Sequence, residues 1–261
     1  MSPEERHARI LSMVRQRGRV TVDELSAFLD ASKETIRRDL GRLDGRGLIR
    51  KFHGGAAMPE MAGEGSFQAR MCDHVSEKRA AARLAAGLFQ PGDSLFVDTG
   101  STTVIFAEEV ARTGELTVIT NSAQIAATIA RGHPGNQAIL LGGTLRAEGQ
   151  ETVGHLALEQ IARFRPRHAV LTVGAVHESG AMDYDLDEAE IARAMIRHAE
   201  TVTVVADASK LGRTALFRIC EVGAIGRLVC DREPGPDLAR ALAHARVTVH
   251  IPAGGGSGTA S

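Results

Sequence analysis

Cysteine is scarce in this 261-residue chain and poorly spaced for any joint task. Cys72, Cys220 and Cys230 are odd in number and far apart, and no CxxC pair occurs. Neither a disulfide framework nor a zinc site is therefore indicated. Cys72 and His74 lie close together, but two potential ligands do not make a site, so no metal is expected. No apolar run approaches the length of a membrane span, which argues against a membrane partner. The stretch Met1-Ser2-Pro3-Glu4-Glu5 has no apolar signal region, and the chain is expected in the cytoplasm. What is present is 43% hydrophobic residues, enough for a normal core, in a length that suits one large domain or two unequal ones.

A net charge of −1 conceals an asymmetry. Residues 1–57 carry twelve Lys and Arg against eight Asp and Glu, a local +4 that leaves −5 for the remainder. A basic end on an acidic body suggests a nucleic-acid module on a carrier domain. The pattern divides as residues 1–57, a linker over 58–75 without periodicity, a large domain over 76–252 and a Gly/Ser-rich tail over 253–261 that is expected to be disordered. In the large domain, short β-branched runs alternate with Ala-rich helical stretches. The strand candidates are Ser94–Val97, Leu116–Thr120, Ala138–Leu141, Ala169–Val173, Val202–Ala206, Leu228–Cys230 and Val247–Ile251. Such alternation predicts an α/β fold built on a largely parallel sheet.

In the basic end, Ile10, Leu11 and Val14 define one face of a helix from Glu4 to Arg17. Thr21-Val22-Asp23-Glu24 is a capping box that opens a second helix to Leu29. Ser32 is the next N-cap, and Ile36, Leu40 and Leu43 repeat as the buried stripe of a third helix from Lys33 to about Asp44. Lys33, Arg37, Arg38 and Arg42 then lie largely off that stripe. A short helix, a tight turn and a helix with a basic outer face make a helix-turn-helix, whose Arg side chains can bond guanine edges or contact phosphate. Residues 48–55 read as a β-wing whose Lys51 and His53 are candidates for the flanking DNA backbone. Spacing alone would also suit a three-helix bundle with a solvated basic face.

In the large domain, Asp98-Thr99-Gly100-Ser101-Thr102-Thr103 lies between a strand and a helix. Such a turn offers backbone N–H groups, hydroxyls and the helix dipole to a phosphate at Gly100, Ser101, Thr102 and Thr103. It matches neither Walker A nor GxGxxG, and no cofactor is expected. Asn121-Ser122, Gly142-Gly143, Gly174 and Asp207-Ala208-Ser209-Lys210 each follow another predicted strand, at the edge where open α/β sheets bind ligands. Lys210 would complement a phosphate, and Asp98 would accept bonds from ligand hydroxyls. Taken singly, each of these residues fits a plain loop turn as well as a binding role.

Thr35-Ile36-Arg37-Arg38-Asp39-Leu40 and Phe52-His53-Gly54-Gly55-Ala56 closely resemble the winged helix-turn-helix of the DeoR family. That resemblance implies that Ser32, Lys33, Thr35, Arg37 and Arg38 touch operator DNA. Residues 76–251 resemble the DeoR-type sensor domain through DTGSTT, TNS, LGG, DASKLGR and LVCD, a domain similar in fold to ribose-5-phosphate isomerase. The implied protein is a repressor with a winged helix-turn-helix and a phosphometabolite sensor, acting as a homo-oligomer, dimer or tetramer, on paired half-sites. Gly180–Asp185 and the continuation DASKLGRTA look most like the glycerol-3-phosphate-responsive branch, which implies a small polyol phosphate. The isomerases' acid/base segment is replaced here by Gly174-Ala175-Val176-His177-Glu178, and their Lys-Gly-Gly turn by Asp183-Tyr184-Asp185-Leu186-Asp187. No enzyme activity is expected. The rival readings are a phosphosugar isomerase carrying a DNA-binding domain and an architectural DNA-binding protein with an inert body.

Overall fold

The computed structural model describes residues 3–17, 19–45, 48–52, 54–57 and 65–252. They fall into two compact units, residues 1–69 and 70–261. His53 and the tail 253–261 lie outside the described residues.

In the smaller unit, α1 (Pro3–Arg17) buries Ile10, Met13 and Val14, the i, i+3, i+4 stripe of an amphipathic helix. Strand β1 (Arg19–Thr21) feeds α2 (Val22–Leu29) through the capping box. The Glu24 amide donates to the Thr21 hydroxyl at 3.2 Å, and the Thr21 amide donates to the Glu24 carboxylate at 2.7 Å. Asp30 closes α2 in the left-handed conformation at φ 47°. Ser32 then accepts the Thr35 amide at 3.2 Å and opens α3 (Lys33–Gly45). The wing is β2 (Arg50–Phe52) and β3 (Gly55–Ala57), which pair antiparallel and join β1 in the order β1-β3-β2. Leu25, Ile36, Leu40, Leu43, Ile49 and Ala56 complete this core.

One polar residue belongs to that core. Asp39 of α3 is 1% exposed and accepts from Arg6 Nε at 2.5 Å, with His7 Nε2 at 3.0 Å. Burial opposes its charge, but the Arg6 and His7 contacts outweigh burial and hold its carboxyl below the usual range. An ionic bond thus ties α1 to the helix proposed to enter DNA.

The segment 58–75 is not wholly a linker. Residues 58–64 lie outside the described residues, but α4 (Phe67–Cys72) follows, with the Ala69 amide on the Ser66 hydroxyl at 3.2 Å. Six residues are too few to display an apolar period, which is why the sequence hides this helix.

The larger unit runs α5 (Val75–Ala86), β4 (Ser94–Val97), α6 (Ser101–Val110), β5 (Thr117–Thr120), α7 (Ala123–Arg131), β6 (Gln137–Leu140), β7 (Thr144–Arg146), β8 (Glu151–Val153) and α8 (His155–Ile161). It continues with β9 (His168–Leu171), β10 (Ala175–His177), β11 (Gly180–Asp183), α9 (Leu186–His198), β12 (Thr201–Val205), β13 (Phe217–Cys220), β14 (Arg227–Val229), α10 (Pro236–His244) and β15 (Thr248–His250). The seven expected strands form one sheet in the order β15-β14-β12-β9-β4-β5-β6, parallel throughout. Burial on both faces accounts for the continuous apolar runs of the inner strands, as in His168–Leu171, buried at every position, whereas the edge strands β6 and β15 are only partly buried. The sequence gives no sign of the short antiparallel pieces, hairpin β7-β8 and sheet β10-β11-β13. Among the described residues, no helix is long and apolar enough to cross a membrane.

Replacing Asp39 with Ala should destabilise the smaller unit by about 2 kcal/mol, because it strands Arg6 and His7. The depressed pKa of Asp39 sets the pH window. Its contribution is full well above the unfolded value of about 4 and is lost as pH falls through the lower folded value. Hydrogen exchange of the α1 and α3 amides in the full chain, wild type against variant, checks both statements. Equal protection at pH 7 refutes them.

Candidate functional site

Burial of Ile36, Asp39, Leu40 and Leu43 turns the opposite stripe of α3 outward. Lys33, Arg37, Arg38 and Arg42 are exposed there, with Ser32 exposed at the cap and Thr35 half-buried. Lys33 pairs with Asp23 of α2 at 2.9 Å, both side chains more than half exposed. Lys51 is exposed on the wing, and its amide donates to Asp44 at 2.9 Å, which fixes the wing against the end of α3. A helix anchored by one apolar stripe and cationic on the other has the shape and charge of a major-groove reader.

In the larger unit, the chain passes from β4 outward to β5 and β6, then returns to β9 on the other side of β4. The direction of winding therefore reverses between β4 and β9. Ligands of open α/β sheets bind at the carboxyl ends flanking such a reversal. Asp98 stands there. Its amide donates to Val170 O at 3.2 Å, and the Thr172 amide reaches its two carboxylate oxygens at 3.0 and 3.1 Å. Burial pushes its pKa well above the normal range against the pull of the Thr172 amide, and the nearby charges of Asp183 and Glu188 add to the rise.

Gly100 precedes α6 and has no room for a side chain, since a Cβ would lie 2.0 Å from the Thr172 methyl. The first intrahelical bond of α6 runs from the Val104 amide to Gly100 O at 2.9 Å. The amides of Ser101, Thr102 and Thr103 precede that ladder, at the positive end of the helix dipole. The side chains of all three are buried, and the Thr103 hydroxyl donates to Gly100 O at 3.1 Å.

Beside this helix start is a narrow recess lined by Asp98, Thr99, Asn121, Glu151, Asp183, Glu188 and Ile191. Burial pushes the Glu151 carboxyl up to about 7 against the pull of Arg146, and Asp185 adds to the rise. Burial, Asp183 and Glu151 push Glu188 up to about 8. Arg146 contacts Glu151 at 3.9 Å and Asp185 at 3.0 Å and bonds Asp187 as well, while Arg70 lies 4.0 Å from Glu188. Among the described residues, no group of three His, Cys, Asp or Glu side chains stands where it could hold a metal ion.

Comparison with known proteins decides what these parts belong to. Residues 6–62 match the DeoR-like helix-turn-helix domain, and residues 73–232 match the DeoR C-terminal sensor domain. The chain belongs to the DeoR family. It is a DNA-binding transcription regulator. It is 32% identical over 248 residues to the transcriptional repressor CsqR of Escherichia coli strain K12, covering 95% of each chain. It is 29% identical over 252 residues to the glycerol-3-phosphate regulon repressor of the same organism, covering 96% of this chain and all of that one. Among solved structures, ribose 5-phosphate isomerase A of Methanocaldococcus jannaschii overlaps 53% of this chain and 55% of its own, at 16% identity and a TM-score of 0.39.

In this DeoR-family regulator the recess gathers Asp98 and Asn121 from the ligand residues expected from sequence, and adds Thr99, Glu151, Asp183, Glu188 and Ile191. The other expected residues stand elsewhere on the same strand-end edge. Ser122 accepts the Ile125 amide at 3.3 Å and caps α7. Gly142 is exposed, and its amide donates to Gln160 at 3.0 Å. Gly143 has φ 155°, with Val153 O only 2.7 Å from where a Cβ would be. Gly174 is buried against the Tyr184 ring. Asp207 accepts the Ser209 amide at 2.9 Å and caps the short turn Ala208–Lys210, where Lys210 is half-buried. His177 and Glu178 lie at the tip of the β10-β11 hairpin, outside the recess.

Gly100→Ala should destabilise the larger unit by about 1–3 kcal/mol through overpacking against Thr172. Thr172→Ser removes the opposing methyl and should restore most of that loss, which a double-mutant cycle of thermal melts reads directly. Strictly additive losses would refute the contact.

Proposed function

We propose that this regulator is a repressor of a carbohydrate or polyol catabolic operon, released from its operator by a phosphorylated sugar or polyol. The observation that carries the reading is the start of α6, whose leading amides and buried Ser101, Thr102 and Thr103 follow Asp98 at the sheet's reversal point, with Asn121 at the end of the neighbouring strand. The phosphate takes those amides and hydroxyls with Lys210 as counter-charge, and Asp98 takes a ligand hydroxyl. Asn121, Ser122, Gly142, Gly143, Gly174 and Asp207 shape the surrounding edge. Glycerol 3-phosphate is the first candidate, supported by a relative named for it. On the DNA side, Arg37 and Arg38 read bases, while Ser32, Lys33, Thr35 and Arg42 support them, and Lys51 and His53 hold the flanking backbone. One α3 covers too little DNA for tight specific binding, so the regulator works in the cytoplasm as a homo-oligomer, dimer or tetramer, on paired half-sites. The ligand acts by binding the weakly DNA-gripping state better than the other.

Arg37→Ala and Arg38→Ala should each weaken specific operator binding by about 1–3 kcal/mol in a titration at fixed salt. Lys210→Ala should leave that titration unchanged but weaken effector binding by roughly 1.5–3 kcal/mol. Its signature is a repressor that represses and does not respond. An equal response to the dephosphorylated compound sinks the phosphate assignment.

A second reading, a phosphosugar isomerase, is favoured by one observation: Glu151 and Glu188 titrate where general bases do. Against it, Arg146 is engaged by Asp185 and Asp187, and among the described residues no Lys or Arg lines the recess to stabilise an enediolate. Assays on ribose 5-phosphate should show no turnover. Turnover that vanishes in Glu188→Gln would overturn the regulator-only reading.

A further inference from the structure

The recess beside α6 contains polar atoms that the protein itself leaves unanswered. Among the described residues, Thr99 Oγ1, Asn121 Oδ1 and one carboxylate oxygen of Glu151 are buried without a hydrogen-bond partner, on residues 6, 2 and 4% exposed. All three residues line the recess. They come from the end of β4, the end of β5 and strand β8, so no single local turn accounts for their convergence. Buried orphans of this kind are rare in folded proteins. A hydroxyl satisfies each of them. Asn121 Oδ1 accepts, Thr99 donates or accepts, and a carboxyl accepts when ionised and donates when protonated.

We propose that this recess is a hydroxyl-recognition subsite, which seats the uncharged hydroxyl end of a phosphorylated polyol or sugar and rejects ligands with a second anionic group at that end. The proposal rests on the reading of the α6 N-terminus as the phosphate site.

Size argues for it first. The free space at the centre of the recess is that of about one water molecule, which suits a hydroxyl and not a carboxylate or phosphate. Charge argues the same way. Asp98, Glu151, Asp183 and Glu188 all border the space, while the nearby guanidinium groups of Arg146 and Arg70 already face carboxylates. A second anion would enter against these carboxyl groups, and among the described residues no cation lines the recess. With burial holding Glu151 up at about 7 and Glu188 at about 8, these carboxyls are only partly ionised near neutrality: the ionised fraction opposes a second anion, and the protonated fraction donates to a hydroxyl oxygen. Reach is also consistent. Thr99 and Ser101 are two residues apart, at most about 7 Å of chain, so a short polyol can bridge the recess and the helix start.

The test is calorimetry on the full chain with matched pairs that differ at the end remote from phosphate. The pairs are glycerol 3-phosphate with 3-phosphoglycerate and glucose 6-phosphate with 6-phosphogluconate, and inorganic phosphate and glycerol are run beside them. The hydroxyl or sugar member of any binding pair should bind at least about tenfold tighter than its carboxylate twin. Glu151→Gln and Glu188→Gln should each narrow that gap by about threefold or more. A carboxylate twin that binds as well as its partner overturns the subsite while leaving the phosphate reading intact. An unchanged gap in both variants overturns it too, and the wild-type comparison stands even if a variant fails to fold. If glycerol binds as tightly as glycerol 3-phosphate, the phosphate reading fails and the subsite survives. If none of the compounds binds, both fall together.

Discussion

Where β4 and β9 run out, the Asp98 carboxylate takes the Thr172 amide on both oxygens. This contact closes the gap at the point where the chain's winding reverses, and the surrounding edge depends on it. Gly100 is forced to be glycine because Thr172, held by Asp98, presses its methyl against that backbone. With Gly100 fixed, α6 begins at Ser101 and aims its leading amides from a defined place. The carboxyl is held by a backbone dipole and not by a cation, so no opposite charge offsets the burial that raises its pKa.

The smaller unit uses a buried aspartate in the opposite way. Asp39 faces Arg6 and His7, which outweigh its burial, and its pKa falls, whereas burial raises the pKa of Asp98 and the nearby Asp183 and Glu188 add to the rise. Cationic partners make Asp39 a clamp between α1 and α3. Burial without a cationic partner makes Asp98 a carboxyl that resists ionisation. The same side chain serves as anchor in one unit and as candidate contact in the other because its surroundings set its charge.

The sequence disclosed the features that repeat over enough residues to be seen. The seven parallel strands appear within one or two residues of expectation, the inner five because strands buried on both faces read as unbroken apolar runs. The capping box at Thr21 and the stripe of Ile36, Leu40 and Leu43 are equally plain. Short antiparallel pieces such as β8 and β11 have three or four residues, too few to alternate visibly, and they deliver Glu151 and Asp183. Glu188 was hidden for another reason, since an acid in the first turn of α9 looks like an ordinary partner of the helix dipole. Half of the recess therefore came from parts of the chain with no local signature. Its roof of carboxylates is a property of topology and not of any motif.

The ion pair between Lys33 and Asp23 adds a consequence for how such a helix searches along DNA. Both side chains are largely exposed, so the pair is weak and a phosphate can capture the lysine. Asp23 nevertheless competes for that ammonium as a tethered anion, acting locally like added salt. On the proposed reading, in which Lys33 meets a backbone phosphate and the neighbouring arginines read bases, this rivalry weakens the phosphate contact and leaves the base contacts alone. On that reading the ion pair lowers affinity for operator and random DNA alike, and the ratio between them is left to the base contacts.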